Sequence, residues 1–207
     1  MVAVKKKAAH VADDYWGKPV PAFGDPQARV MLVGLAPGAH GSNRTGRMFT
    51  GDASGDFLYP ALFRAGFASQ PSARHAHDGL RLIDCVITAA ARCAPPKNKP
   101  TPQQLRNCLP YLSEEIERLA NVQVMIGLGS IGFYAIFKAL KPHGFTVRSA
   151  GAPKFGHGVE YTVESGERSM TVIGCYHPSR QNTNTGVLTA AMMDGVFERA
   201  KSLLVPV

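Results

Sequence analysis

Cysteine is scarce in this 207-residue chain, with four in all, and no two of them form a C-x-x-C pair. That excludes a secreted disulfide scaffold and the commonest structural zinc ligand spacing. No apolar run approaches the ~18–20 residues of a membrane span. The basic start, MVAVKKKAAH, is not followed by the apolar segment of a secretory signal. The expected compartment is therefore the cytoplasm. The glycine-rich stretch behind the first apolar run, residues 34–52, carries neither common phosphate-binding signature: no G-x-x-x-x-G-K-[ST], and no G-x-G-x-x-G in register behind the strand. Acidic residues are also in the minority: 15 Asp and Glu against 23 Lys and Arg, a net charge of +8. This excess fits a polyanionic partner such as nucleic acid, or simply a basic protein.

What is present reads as one α/β domain. Four short apolar runs, residues 29–35, 82–89, 122–128 and 170–176, have the near-continuous Val, Ile, Leu and Met content of strands buried on both faces. Helical patterns lie between them at 57–65, 101–119, 130–140 and 188–204, the second opened by Thr101-Pro102. Alternation of this kind predicts three layers, α/β/α, around a small, mainly parallel, four-stranded sheet. Residues 142–169 read as a hairpin excursion. Residues 1–12 read as a flexible arm, and 13–207 as the single domain.

In such folds ligands bind at the carboxyl edge of the sheet. Three segments there carry chemistry. Behind the first strand comes GLAPGAHGSNRTGRMFTGD, residues 34–52, with five glycines, two arginines, an aromatic and a single terminal acid. Glycines such as Gly34 and Gly38, with Ala36, let backbone approach a ligand. Phe49 either stacks on a planar base or plugs the loop into the core. Asp52 either orients a water or caps the next helix. Behind the second strand, RCAPPKNKPTP holds Asn98 between Lys97 and Lys99 in a proline-stiffened loop. Asn98 can pair with a base edge, or be a solvated turn residue. Behind the fourth strand, YHPSRQNTNTG places His177 at the strand end. That histidine either stabilises a developing oxyanion or caps the strand.

Together these segments, in this order, resemble the family 5 (B-type) uracil-DNA glycosylases. YWGKPVPAFGDP, residues 15–26, resembles that family's lead-in to its first strand. The resemblance spans about residues 13 to 204. It implies a monofunctional enzyme of base excision repair, and no sequence feature requires more than a monomer. Such an enzyme flips uracil, and other deaminated bases such as hypoxanthine, out of single- or double-stranded DNA. It then hydrolyses the N-glycosidic bond to leave an abasic site. Carried over, His177 serves the leaving base, Phe49 stacks on it, and Asn98 recognises the lesion or positions water. Asn182 matches a second asparagine of the last loop. Ser179, Arg180, Gln181 and Asn184 lie in the segment that enters the duplex. Arg44, Arg47, Lys97 and Lys99 are candidate DNA contacts. Leu35 stands where other families of the superfamily carry a water-handling polar residue, which leaves the base unassigned, with Asp52 the nearby acid. Ala89, where some relatives have a uracil-reading Asn, fits a less selective site.

The resemblance also implies a 4Fe–4S cluster on four cysteines. Cys93 and Cys108 match two of them. The other pair belongs upstream of Tyr15, where this sequence has no cysteine. The expectation is an absent or incomplete cluster, from truncation, a misassigned start or true loss. A non-cleaving damage-binding module and a nucleoside hydrolase are the alternatives to the glycosylase reading.

Overall fold

The computed structural model describes residues 5–149 and 151–205. In chain order its strands are β1 (Phe23–Gly24), β2 (Val30–Gly34), β3 (Cys85–Ala89), β4 (Val124–Leu128), β5 (Thr146–Val147), β6 (Glu160–Ser165) and β7 (Arg168–Cys175). Its helices are α1 (Ser42–Thr45), α2 (Ala53–Ala65), α3 (Pro102–Arg118), α4 (Gly129–Leu140), α5 (Arg180–Asn184) and α6 (Ala190–Ser202).

The sheet order is β1-β3-β2-β4-β7-β6-β5. The four central strands, β3, β2, β4 and β7, are parallel and are the four expected from the apolar runs. The sheet is larger than the expected four strands. β1 adds antiparallel to β3 on one edge, and the β6–β5 pair extends the other. The hairpin expected in 142–169 is thus drawn into the same sheet.

Strand periodicity explains the layers. Val30 and Leu32 of β2 face a core built with Leu58, Leu62 and Phe197 of α2 and α6. Their neighbours Met31 and Val33 face a second core with Leu112 and Ile116 of α3 and Phe133 and Ile136 of α4. Side chains two apart share a face, so a strand covered by helices on both sides is apolar at nearly every position, Thr88 of β3 being an exception. All five residues of β2, β3 and β4 are buried.

The helix starts are specified locally. Thr101 and Gln104 form a reciprocal capping box ahead of α3, with Pro102 at its first turn. Thr189 caps α6 and Asp52 caps α2. No helix among the described residues is long and apolar enough to cross a membrane.

Residues 1–4 of the expected arm lie outside the described residues. The remainder folds back on the domain. Ala8–His10 forms a 3-10 turn, Lys6 lies over the Tyr15 ring, and Lys7 reaches the main cavity.

Candidate active site

The carboxyl ends of β2, β3 and β7 open into one cavity of about 640 Å³. Leu35, Ala36 and Gly38 come from the first loop, Asn98 from the second, and His177 and Ser179 from the last. The loop behind β4 contributes indirectly. Gly129 packs against His177, and a Cβ at that glycine would lie 3.2 Å from the histidine's own.

Phe49 is held in an uncommon backbone conformation, φ +52°. A bulky side chain rarely occupies this region, and such strain persists only where surroundings enforce it. Here three contacts do so. Ser42 Oγ accepts from the Phe49 N–H at 2.9 Å, and Tyr59 donates to the Met48 carbonyl at 2.8 Å. Gly55 lies so close to the Phe49 carbonyl that a Cβ would stand 1.8 Å from its oxygen. The ring lies over Gly34, where a Cβ would meet it at 2.9 Å. Gly34 therefore makes room for Phe49 rather than lining the cavity. Phe49 belongs to the core cluster and also lines the cavity.

The Phe49 and His177 rings lie 5.9 Å apart, tilted by 35°. Burial lowers the His177 pKa to about 4, so its imidazole is neutral at physiological pH. Asn182 does not line the cavity. Its amide donates to the His177 carbonyl at 2.9 Å and fixes the loop behind the histidine. Ser179 caps α5, turning Arg180 and Gln181 to the cavity rim, while Asn184 is exposed at the helix end.

Of the two roles expected of Asp52, the structure shows the helix cap. Oδ1 accepts from the Ser54 and Gly55 N–H groups at 3.0 and 3.1 Å, capping α2. Oδ2 faces the first loop so closely that a Cβ on Gly41 would lie 1.9 Å away. Among the described residues Oδ2 has no hydrogen-bond donor, and Asp52 lines the cavity. Burial raises its pKa, against the pull of the two N–H groups.

Asn98 stands at the cavity wall on an exposed turn, with Lys97 and Asn98 both in the left-handed region, φ +53° and +55°. Lys97 and Lys99 are exposed beside it. The base of this loop is fixed by Arg92, which is ion-paired with Glu115 of α3 and donates to the Val20 carbonyl. Thr88 donates to the other oxygen of Glu115 at 2.8 Å.

The two first-loop arginines, expected at phosphates, are turned inward. Arg44 pairs with Asp13 and donates to the carbonyls of His40 and Gly51. Arg47 is 4% exposed and pairs with Asp78 at 2.7 Å. Both brace the loop. His40 was not singled out from the sequence, although it stands in the glycine-rich stretch. It lines the cavity, with Nδ1 2.9 Å from the Tyr15 hydroxyl. Burial, then the nearby Lys7, His10 and Arg44 side chains, lower its pKa.

Cys93 and Cys108 are both half-buried. Burial first, and then the neighbouring Cys108, push the Cys93 thiol up. Among the described residues no group of three or more His, Cys, Asp or Glu converges as metal ligands. Two thiols do not fit a four-thiolate cluster. Cys85 and Cys175 are buried within strands of the core, with the Cys175 thiol pushed up to about 12.

A model of the uracil DNA glycosylase superfamily matches residues 21–201, the span that builds this sheet and cavity. The chain belongs to that superfamily. It is 50% identical over 200 residues to a type-5 uracil-DNA glycosylase of Thermus thermophilus, covering 97% of this chain and 87% of that protein. It is 43% identical to a type-5 uracil-DNA glycosylase of Pyrobaculum aerophilum, covering 95% of this chain and 81% of that protein. A type-4 uracil-DNA glycosylase of Archaeoglobus fulgidus is 30% identical over 161 residues, 77% of this chain and 70% of its own.

Proposed function

We propose that this chain is a monofunctional DNA-repair glycosylase that hydrolyses the N-glycosidic bond of uracil in DNA. The observation that carries the reading is the convergence of Phe49, neutral His177 and the Oδ2 of Asp52 on one cavity, in a chain whose relatives are named for this activity.

The reaction runs through a sugar with oxocarbenium character and a base leaving as an anion. A nucleotide extruded from the helix enters the cavity, where Phe49 offers a rigid aromatic face. His177, being neutral, donates a hydrogen bond to the oxygen on which charge develops. That interaction strengthens as the bond breaks, which is what lowers the barrier. Asn98 presents an amide to the base edge. Asp52 holds α2 with one oxygen and offers the other to the attacking water. Its raised pKa makes it a better proton acceptor than an exposed carboxylate. Leu35 offers no polar group at its own position in the first loop. The reading routes no step through an iron–sulfur cluster.

Scope follows from the same wall. Ala89 and Leu35 present no hydrogen-bonding side chain to the base, and the cavity volume accommodates a purine. Hypoxanthine is therefore a second substrate in this reading, in single or double strands. Lys97, Lys99 and Arg180 supply cations at the rim.

The test is direct detection of the free base. An oligonucleotide containing one uracil or one hypoxanthine is incubated with the protein, and small molecules are separated chromatographically. Release of the base, leaving an alkali-labile site, supports the reading. Retained lesion-selective binding without release replaces it with a damage-binding module.

A further inference from the structure

Residues 69–81 form a closed loop beside the cavity that none of the roles above uses. Its neck is tied where Ser69 N–H donates to the Arg81 carbonyl and Arg81 N–H to Ser69 Oγ, both at 2.9 Å. Its interior is organised on Asp78. That carboxylate accepts from the backbone N–H groups of Arg74 and Leu80 and from both terminal nitrogens of Arg47. The pair is nearly sealed from solvent, with 4% and 9% of the two side chains exposed. Arg47 also stacks on Phe23, 5.0 Å from the ring centre.

Three observations give this loop a use. Asp78 is its only acid and points inward, while Arg74, His75, His77 and Arg81 are exposed. The outward face is thus cationic or neutral throughout. The loop is also continuous with the cavity mouth. Gly51 donates to the Ala73 carbonyl at 2.9 Å, and the Arg74 carbonyl lies 3.2 Å from where a Gly51 Cβ would be. The next residue is Asp52. Finally, the buried pair gains little net stability from its charges, but it fixes the loop's shape. Compact loops with tied ends are often functional.

We propose that residues 69–81 are a DNA-backbone contact flanking the extruded nucleotide, with Arg74 meeting a phosphate and His75 and His77 beside it. Arg47 acts on DNA through this loop, as a positioning residue. The inference rests on the DNA-glycosylase reading and adds a second group of cations, next to Gly51 at the start of α2, to Lys97, Lys99 and Arg180.

Each phosphate neutralised by a cation releases condensed counterions, so the salt dependence of binding counts such contacts. Fluorescence anisotropy on a duplex carrying a non-cleavable 2′-fluoro deoxyuridine gives the affinity across a potassium chloride series. Arg74→Ala should weaken binding several-fold at low salt and make the log–log slope shallower by about one, with Arg74→Lys restoring the slope. Arg118→Ala, at the far end of α3, should leave the slope unchanged. An unchanged affinity and slope in Arg74→Ala overturns the inference. Failure of the wild-type chain to release uracil would instead overturn the proposed function, while the slope would still report on the loop.

Discussion

Phe49 and His177 face one another at 5.9 Å, brought from two separate strand ends to the same cavity wall. Neither is free to adjust. Phe49 is locked by a left-handed backbone, and His177 is held from behind by Asn182. His177→Ala is expected to lower the single-turnover rate of uracil release by ~10²–10³, as for loss of one oxyanion donor. Asn182→Ala should lower the same rate less, by loosening the histidine. Rapid-quench kinetics on both variants checks the order.

Gly34→Ala is expected to act through Phe49. The added methyl would meet the ring at 2.9 Å, and the ring has no slack because its backbone is fixed. Overpacking of this kind costs ~1–3 kcal/mol. Both thermal stability and uracil affinity should fall. A variant that keeps its melting temperature and its affinity would show that the ring can move.

Asp52 lets capping and chemistry be separated. Asn is as good an N-cap as Asp, so Asp52→Asn should retain stability, whereas Asp52→Ala should lose about 1 kcal/mol. Both should lose about 10² in single-turnover rate if Oδ2 handles the water. Calorimetry beside kinetics reads the two effects independently. A fully active Asp52→Asn would leave the residue as a cap alone.

The pH profile distinguishes neutral from charged histidine. With its pKa near 4, His177 is already neutral at pH 6. The single-turnover rate should therefore not decline between pH 6 and 8. A histidine acting as imidazolium with an ordinary pKa would give a rate that falls as pH rises through ~6.5. Asp52, whose pKa is raised, adds a limb on the acid side, where its protonation removes the base.

Asp78 gives an acid-stability prediction. The Arg47 pair and two backbone N–H groups hold its folded-state pKa below the ordinary carboxylate value, against the opposing effect of burial. Its contribution to stability is complete above the unfolded-state pKa of ~3.9 and is lost as pH falls through the lowered folded value. Arg47→Ala strands a buried carboxylate and should cost ~3–5 kcal/mol at neutral pH. Chemical denaturation at pH 7 and pH 3 measures both effects.

Much of this was legible in the sequence because the signals were local or repetitive. Continuous apolar runs marked the four central strands, and Thr101-Pro102 marked the start of α3. The two-residue strands β1 and β5 are too short to carry a periodicity and exist only through their pairing partners. Arginine roles were misread for a related reason. A guanidinium in a glycine-rich loop looks like a phosphate ligand, but the partner of Arg47 is Asp78, on a separate loop. Asn182 and Gly34 proved to act on the neighbours of the site. His40 was visible as a polar residue in the loop, yet only the fold reveals Tyr15 beside it.

The most direct measurement is alkali-induced strand nicking of a labelled duplex with a single uracil, comparing the wild-type chain with His177→Ala under single-turnover conditions. The account predicts uracil-dependent nicking by the wild type and a rate lower by ~10²–10³ in the variant. Equal rates in the two proteins, or no nicking by the wild type, would contradict it.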